Sequence, residues 1–184
     1  NQLDEHVIDS LLKQGAPIDL FGVGTRLVTG RPDAALDGVY KLAFANGKPR
    51  IKLSESTEKI SLPDLKQVFR VLNGEGSFFG ADAVALADET DVERMHHPFD
   101  PLKLLDIAEY EKEPLLHRVM TDGERTGDAK SLEEIADYAR RRMEQLPAEY
   151  KRFANPHVYK VGLSPPLKEE RDRLIEMHRK EKRS

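Results

Sequence analysis

Residues 18–25, Ile-Asp-Leu-Phe-Gly-Val-Gly-Thr, restrict this chain more than any other stretch. A short, mostly apolar run stops abruptly at two glycines one residue apart. The run is too short for a helix that packs by itself. It suits a buried strand, because a strand covered on both faces reads as continuous apolar sequence. Glycine at 22 and 24 permits a tight turn and leaves no side chain between the backbone and a ligand. The N–H groups of Gly22, Val23, Gly24 and Thr25 can then converge on an anion, with the Thr25 hydroxyl as one more donor. Two readings stay open on the pattern alone: a phosphate cradle, and a glycine-rich turn that holds nothing.

The residues on either side give the turn a context. Residues 1–14 place Val7, Ile8, Leu11 and Leu12 on one helical face, with Asn1 or Asp4 available as the cap and Gly15 as a left-handed stop. Helix, short loop, apolar strand and glycine turn make half of an α/β repeat. No second such repeat follows. A parallel strand at 18–21 therefore calls for neighbours outside this sequence, and a first residue of Asn suggests a portion of a longer polypeptide, whether engineered or cleaved.

Beyond the turn the hydrophobic period changes from helical to alternating. Residues 39–44 and 50–53 alternate around Asn46-Gly47, the strongest short-range hairpin signal. A second pair, 67–72 and 78–86, flanks Asn73-Gly74-Glu75-Gly76. A further strand region spans 107–120, with Asp122-Gly123 as its turn. These strands read as antiparallel, so a separate β-rich module is expected over 39–184, after an α/β piece over 1–38. Ser131-x-x-Glu134 is a capping box that opens a helix with an apolar stripe from Leu132 to Leu146, stopped by Pro147. Ser164-Pro165-Pro166 opens a last helix with a thin stripe of Leu167, Leu174 and Ile175. Residues 179–184 are charged and expected to fray.

Composition removes several function classes. The chain has 184 residues and no cysteine, which excludes disulfides, thiolate metal sites and thiol nucleophiles and fits a reducing, cytoplasmic setting. Net charge is −4, contrary to the basic face of a nucleic-acid binder. No apolar run reaches the ~20 residues of a membrane span. Arg140, Arg141 and Arg142 could meet phosphate, though answering the helix dipole is the simpler role. His96-His97-Pro98 has no third ligand at a metal-site spacing and reads as loop, and His117 and His157 carry no motif. No metal site and no catalytic residue is assigned. If a strand ends just before residue 1, Asn1 to Glu5 becomes a βα loop beside the glycine turn. Such neighbouring loops hold phosphate in (β/α) barrels; the alternative is that Asn1 and Asp4 only cap the helix.

Three blocks taken together resemble nicotinate phosphoribosyltransferases. They are Asn1-x-Leu3-Asp4-Glu5 through Phe21-Gly22-Val23-Gly24-Thr25-Arg26-Leu27-Val28-Thr29; Leu36-Asp37-Gly38-Val39-Tyr40 with Arg50-Ile51-Lys52-Leu53-Ser54; and Asn155-Pro156-His157-x-Tyr159-Lys160-Val161-x-Leu163-Ser164. They occur in the family's order and run nearly the whole length. The resemblance implies the C-terminal part of an irregular α/β barrel joined to a β-rich domain built from both chain ends. It implies ATP-assisted, Mg2+-dependent joining of nicotinate to 5-phosphoribosyl-1-diphosphate, giving nicotinate mononucleotide and pyrophosphate in NAD synthesis, in a homodimer. By position, Gly22, Gly24 and Thr25 would hold the 5′-phosphate and Asn1 would lie near the ribose. The family's phosphorylated histidine and its base pocket belong upstream, so this chain by itself is expected to be inactive. Gln2 and Pro63-Asp64-Leu65-Lys66 depart from the family pattern, the latter where Pro-Gly-x-Lys is usual. Two other readings are a non-catalytic scaffold or dimerisation module, and part of a nicotinamide or quinolinate phosphoribosyltransferase.

Overall fold

The computed structural model describes residues 2–35 and 37–181. It divides into two compact units, Asn1–Tyr40 and Lys41–Ser184.

In the first unit, helix α1 (Glu5–Lys13) starts where Asp4 Oδ1 accepts the Val7 N–H at 2.9 Å. Asn1, the other candidate cap, lies outside the described residues. Gly15 ends the helix at φ +74°, and the Gly15 and Ala16 N–H groups donate back to the Leu12 and Leu11 carbonyls at 3.0 and 3.1 Å. Residues 18–21, expected as a strand whose parallel neighbours lie outside this sequence, form no strand here. They pair with no strand among the described residues, and Leu20 is 88% exposed. A ladder needs a neighbouring backbone, and this unit supplies none. Helix α2 (Thr25–Thr29) follows and closes at Gly30, φ +57°.

The second unit opens with a hairpin of β1 (Phe44–Ala45) and β2 (Lys48–Pro49). Asn46 and Gly47, at φ +54° and +68°, form the mirror-image turn that the Asn-Gly pair favours. The strands β3 (Lys66–Leu72) and β4 (Phe78–Leu86) pair antiparallel, with Phe69 opposite Ala83 and Arg70 opposite Asp82. The loop between them is held by Asn73, whose Oδ1 accepts the Glu75 and Ser77 N–H groups at 3.1 and 2.9 Å. Next come β5 (Arg94–His96), β6 (Leu104–Asp106), β7 (Glu111–Pro114), the small β8 (Met120–Thr121) and β9 (Glu124–Arg125) ribbon, and β10 (Lys160–Leu163). The six-stranded sheet runs β6-β5-β10-β4-β3-β7.

Two expectations change here. The sheet is mixed, because β10 joins β4 in parallel, while every other pairing is antiparallel. Lys-Val-Gly-Leu is too short a run to mark a strand by its pattern, and its direction is set by a partner about eighty residues earlier in sequence. His96 sits in β5, not in a loop. The core gathers on one face of the sheet: Phe69, Val71, Ala81, Ala83 and Ala85 alternate inward along β3 and β4 and meet Val92, Met95 and Ile107. Helix α3 (Leu132–Gln145) begins with the capping box, Ser131 and Glu134 satisfying each other's N–H. Its stripe residues Leu132, Ile135 and Met143 remain exposed. Helix α4 (Pro165–Glu181) buries Leu167 and Leu174 and lies against β4 and β5.

Candidate functional site

The glycine turn of the first unit is built from local geometry. Gly24 caps α2 with φ −109° and ψ −98°, outside helical values, and its carbonyl accepts the Val28 N–H at 3.0 Å. The N–H groups of Gly22, Val23, Gly24, Thr25, Arg26 and Leu27 meet no acceptor among the described residues, nor does the Thr25 hydroxyl. Gly22, Gly24 and Thr25 are exposed, and a Cβ added at either glycine would meet open space. Thr29 Oγ1 donates to the Thr25 carbonyl at 2.7 Å, and the Arg26 guanidinium stands 3.8 Å from Asp4. The turn therefore presents adjacent donors with no competing acceptor among the described residues. Five helical residues give little macrodipole, so the individual N–H groups supply the attraction for an anion. Gln2, at φ +62°, is exposed. Asn1, the expected ribose neighbour, lies outside the described residues.

The third sequence block does structural work in the second unit. Tyr159 donates its hydroxyl to Asp82 Oδ1 at 2.9 Å, and Asp82 also accepts from Arg70 Nε and Nη2 at 3.1 and 3.0 Å. Burial first, then the Asp82 carboxylate, holds the Tyr159 phenol well above its ordinary range; the bond to Asp82 raises the Arg70 guanidinium. The phenol is thus a fixed neutral donor, not an acid or base near neutral pH. The Tyr150 ring packs edge-on to both His157 and Tyr159, with centroids 5.7 and 5.6 Å away. Gly80 makes room for it: at φ +90°, a Cβ there would stand 1.9 Å from the Tyr150 hydroxyl. Ser164 is fully buried; its Oγ donates to Glu89 at 2.6 Å and accepts the Leu167 N–H at 3.3 Å, so it ties β10 to the start of α4.

Arg142, read from sequence as a dipole partner, has a further role. It reaches Glu113 on β7 at 2.6 Å and lies 4.7 Å over the Phe78 ring, whose other neighbour is Arg70 at 4.4 Å. Sequence reading missed this stack and the Arg70–Asp82–Tyr159 group. Both residues of the cross-strand pair stand at polar positions of otherwise apolar strands, and that was the available signal. The Pro63-Asp64-Leu65-Lys66 departure forms a tight turn, with Asp64 at φ +65°. Lys66 donates to the carbonyls of Leu62, Pro63 and Asp64, and its ammonium is lowered by burial, against the attraction of Asp64. His97 Nδ1 accepts the Phe99 and Asp100 N–H groups at 3.2 and 3.0 Å, and His117 is exposed. Among the described residues no group of three or more His, Asp or Glu is arranged to hold a metal ion. No described helix is long and apolar enough to cross a membrane.

Comparison with known proteins gives a consistent result. A family model described as the nicotinate phosphoribosyltransferase C-terminal domain matches residues 65–171. The nicotinate phosphoribosyltransferase of Dictyostelium discoideum is 33% identical, over 91% of this chain and 30% of its own length. That of Bacillus subtilis is 34% identical, over 89% and 35%. The crystal structure of human nicotinic acid phosphoribosyltransferase aligns with a TM-score of 0.70 at 28% identity, over 95% of this chain and 32% of that one. The chain spans about a third of the length of the relatives it matches.

Proposed function

Because this chain belongs to the nicotinate phosphoribosyltransferase C-terminal domain family, we propose that it is the C-terminal portion of an enzyme that joins nicotinate to 5-phosphoribosyl-1-diphosphate. The products are nicotinate mononucleotide and pyrophosphate, made with ATP hydrolysis on the route to NAD. The relatives' names all specify nicotinate, which favours that base over nicotinamide or quinolinate. In this reading residues 1–38 are the last helix–strand part of an α/β barrel, and residues 39–184 are the β-rich domain. The enzyme is a cytoplasmic homodimer. The exposed run at 18–21, with Leu20 bare, acquires its strand partners from the remainder of the barrel.

One observation supports the site above others: the turn at Gly22–Thr25 offers N–H groups that nothing in the described chain accepts. These amides and the Thr25 hydroxyl bind the 5′-phosphate of the activated sugar, and Asn1 stands by the ribose. Holding the phosphate fixes the distance and direction of the ribose C1. The nicotinate nitrogen then attacks C1 in line as pyrophosphate departs. Positive charge develops at C1 in that step, so positioning and electrostatics provide most of the rate. By the family resemblance, ATP and Mg2+ serve the full-length enzyme, and the phosphorylated histidine and the base pocket belong to its earlier part. This chain alone is inactive.

Gly24→Val tests the assignment in the full-length enzyme. The added side chain enters the cradle and weakens 5-phosphoribosyl-1-diphosphate binding by about 3 kcal/mol or more. Calorimetric titration showing unchanged affinity would reject it.

A further inference from the structure

We propose a second anion site, separate from the glycine turn, in the gap of the sheet between β5–β6 and the first half of β10. The strands β5 and β10 pair only at His96 opposite Leu163. Beyond that point they part, and a cavity of about 530 Å³ opens between them. That volume is in the range of small-molecule sites. Leu104, Leu105, Val158 and Val161 give it apolar walls, while His96, His97, Lys103 and Lys160 bring four basic side chains to it. No aspartate or glutamate lines it, although acids outnumber bases in the chain, 33 to 29.

The hydrogen-bond state of these groups decides what they can hold. Lys160 has no carboxylate partner among the described residues; its ammonium lies 5.8 Å from the Phe79 ring. The His96 side chain makes no hydrogen bond or ion pair among them. His97 Nδ1 already accepts two backbone N–H groups, which leaves the ring proton on Nε2 as a donor. Lys103 pairs with Asp100 at 3.2 Å, an exposed contact of small worth that exchanges readily. The cavity thus offers donors and cations around an apolar lining. Its ligand is a small organic anion: a carboxylate or phosphate carried on a compact apolar body.

The test is a titration of the full chain followed by the ring Cε1–H signals of His96 and His97 in two-dimensional proton–carbon NMR. Benzoate and phenyl phosphate probe the two head groups, benzamide is the neutral isostere, and inorganic phosphate is the head group without a body. Saturable shifts of both rings are expected with benzoate or phenyl phosphate at a Kd of about 1 mM or below. Whichever binds more tightly names the head group. The double variant Lys103→Gln, Lys160→Gln alters two exposed side chains and should keep the thermal midpoint while weakening that binding about tenfold or more. Benzamide should shift neither ring. Equal response to benzamide, equal affinity for inorganic phosphate, or no saturable shift with either organic anion overturns the proposal.

Discussion

The two units of this molecule treat their apolar residues in opposite ways. The second unit closes a mixed sheet over an inward-facing row of Phe69, Val71, Ala81, Ala83 and Ala85. The first unit buries none of its described residues and leaves Leu20, Leu27 and Val28 in the open. Polar groups follow the same division. In the second unit Arg70, Asp82 and Tyr159 satisfy one another and Ser164 pairs with Glu89, so the third sequence block serves to hold β10 and α4 in place. In the first unit the N–H groups of Gly22 to Leu27 meet no acceptor among the described residues. Buried polar groups are almost always paired, and unpaired donors are a resource only where a ligand or another chain segment will take them. The difference teaches where to look for chemistry: not in the densest polar network, but in the donors that the fold has not used.

Two glycine substitutions turn that division into the largest expected effects. Gly24→Val loses about 3 kcal/mol or more of phosphoribosyl diphosphate binding in the full-length enzyme, yet should leave its thermal midpoint unchanged, because the position faces open space. Gly80→Ala should do the reverse. The new methyl must displace the Tyr150 ring, and φ +90° disfavours any side chain, so unfolding in urea should be easier by about 3 kcal/mol. Substrate affinity should hold wherever the protein is folded. Should Gly24→Val lower the midpoint as Gly80→Ala does, the turn is packed against something and is not an open cradle.

What could be read from sequence was what depends on near neighbours. Asp4 and Ser131 announce their caps within three residues, and Asn46-Gly47 announces a hairpin within two. The pair β3 and β4 was legible because two largely apolar runs flank an Asn-Gly-rich loop. The parallel strand β10 was not, since its partners on β4 stand about eighty residues earlier, where Tyr159 also reaches Asp82. Nor was the contact of Gly80 with Tyr150. The run at 18–21 stays open for a related reason: apolar sequence marks what a segment would bury, and burial needs a partner that the described residues do not supply. At the candidate site the donors were legible from two glycines and a threonine, whereas the absence of an internal acceptor could be learned only from coordinates.

A smaller effect probes the electrostatics of the second unit. The Lys112 ammonium, 2.8 Å from Asp91, holds that carboxyl below its usual range. A carboxyl depressed on folding contributes stability above its unfolded pKa of about 3.9 and loses it as pH falls through the folded value. Asp91→Asn keeps the local bond to the Val92 N–H but not the charge. Asp91 is largely exposed and solvent-screened, so the variant should be weaker by less than about 1 kcal/mol at pH 7. That gap should close below about pH 4. Urea unfolding across this range measures it, and a gap independent of pH would show that the ion pair is not its source.

The smallest effect concerns Asp64, at the position where the resemblance noted in the sequence leads one to expect glycine. At φ +65° it adopts a conformation that costs most residues about 1 kcal/mol and aspartate less, since its short side chain can bond locally. Here Oδ1 accepts the Leu65 N–H at 2.7 Å. Asp64→Gly relieves the backbone but forfeits that bond and gives the unfolded chain more freedom, by amounts of similar size and opposite sign. The net change in stability should therefore stay within about 0.5 kcal/mol. Loss of the carboxylate also takes a favourable neighbour from Lys66, whose ammonium burial already lowers. A loss above about 1.5 kcal/mol would mean that this charge, and not the turn, is what the position requires. The second unit would then depend on a polar residue at a turn, as the first unit is proposed to do, and the division between the two would narrow.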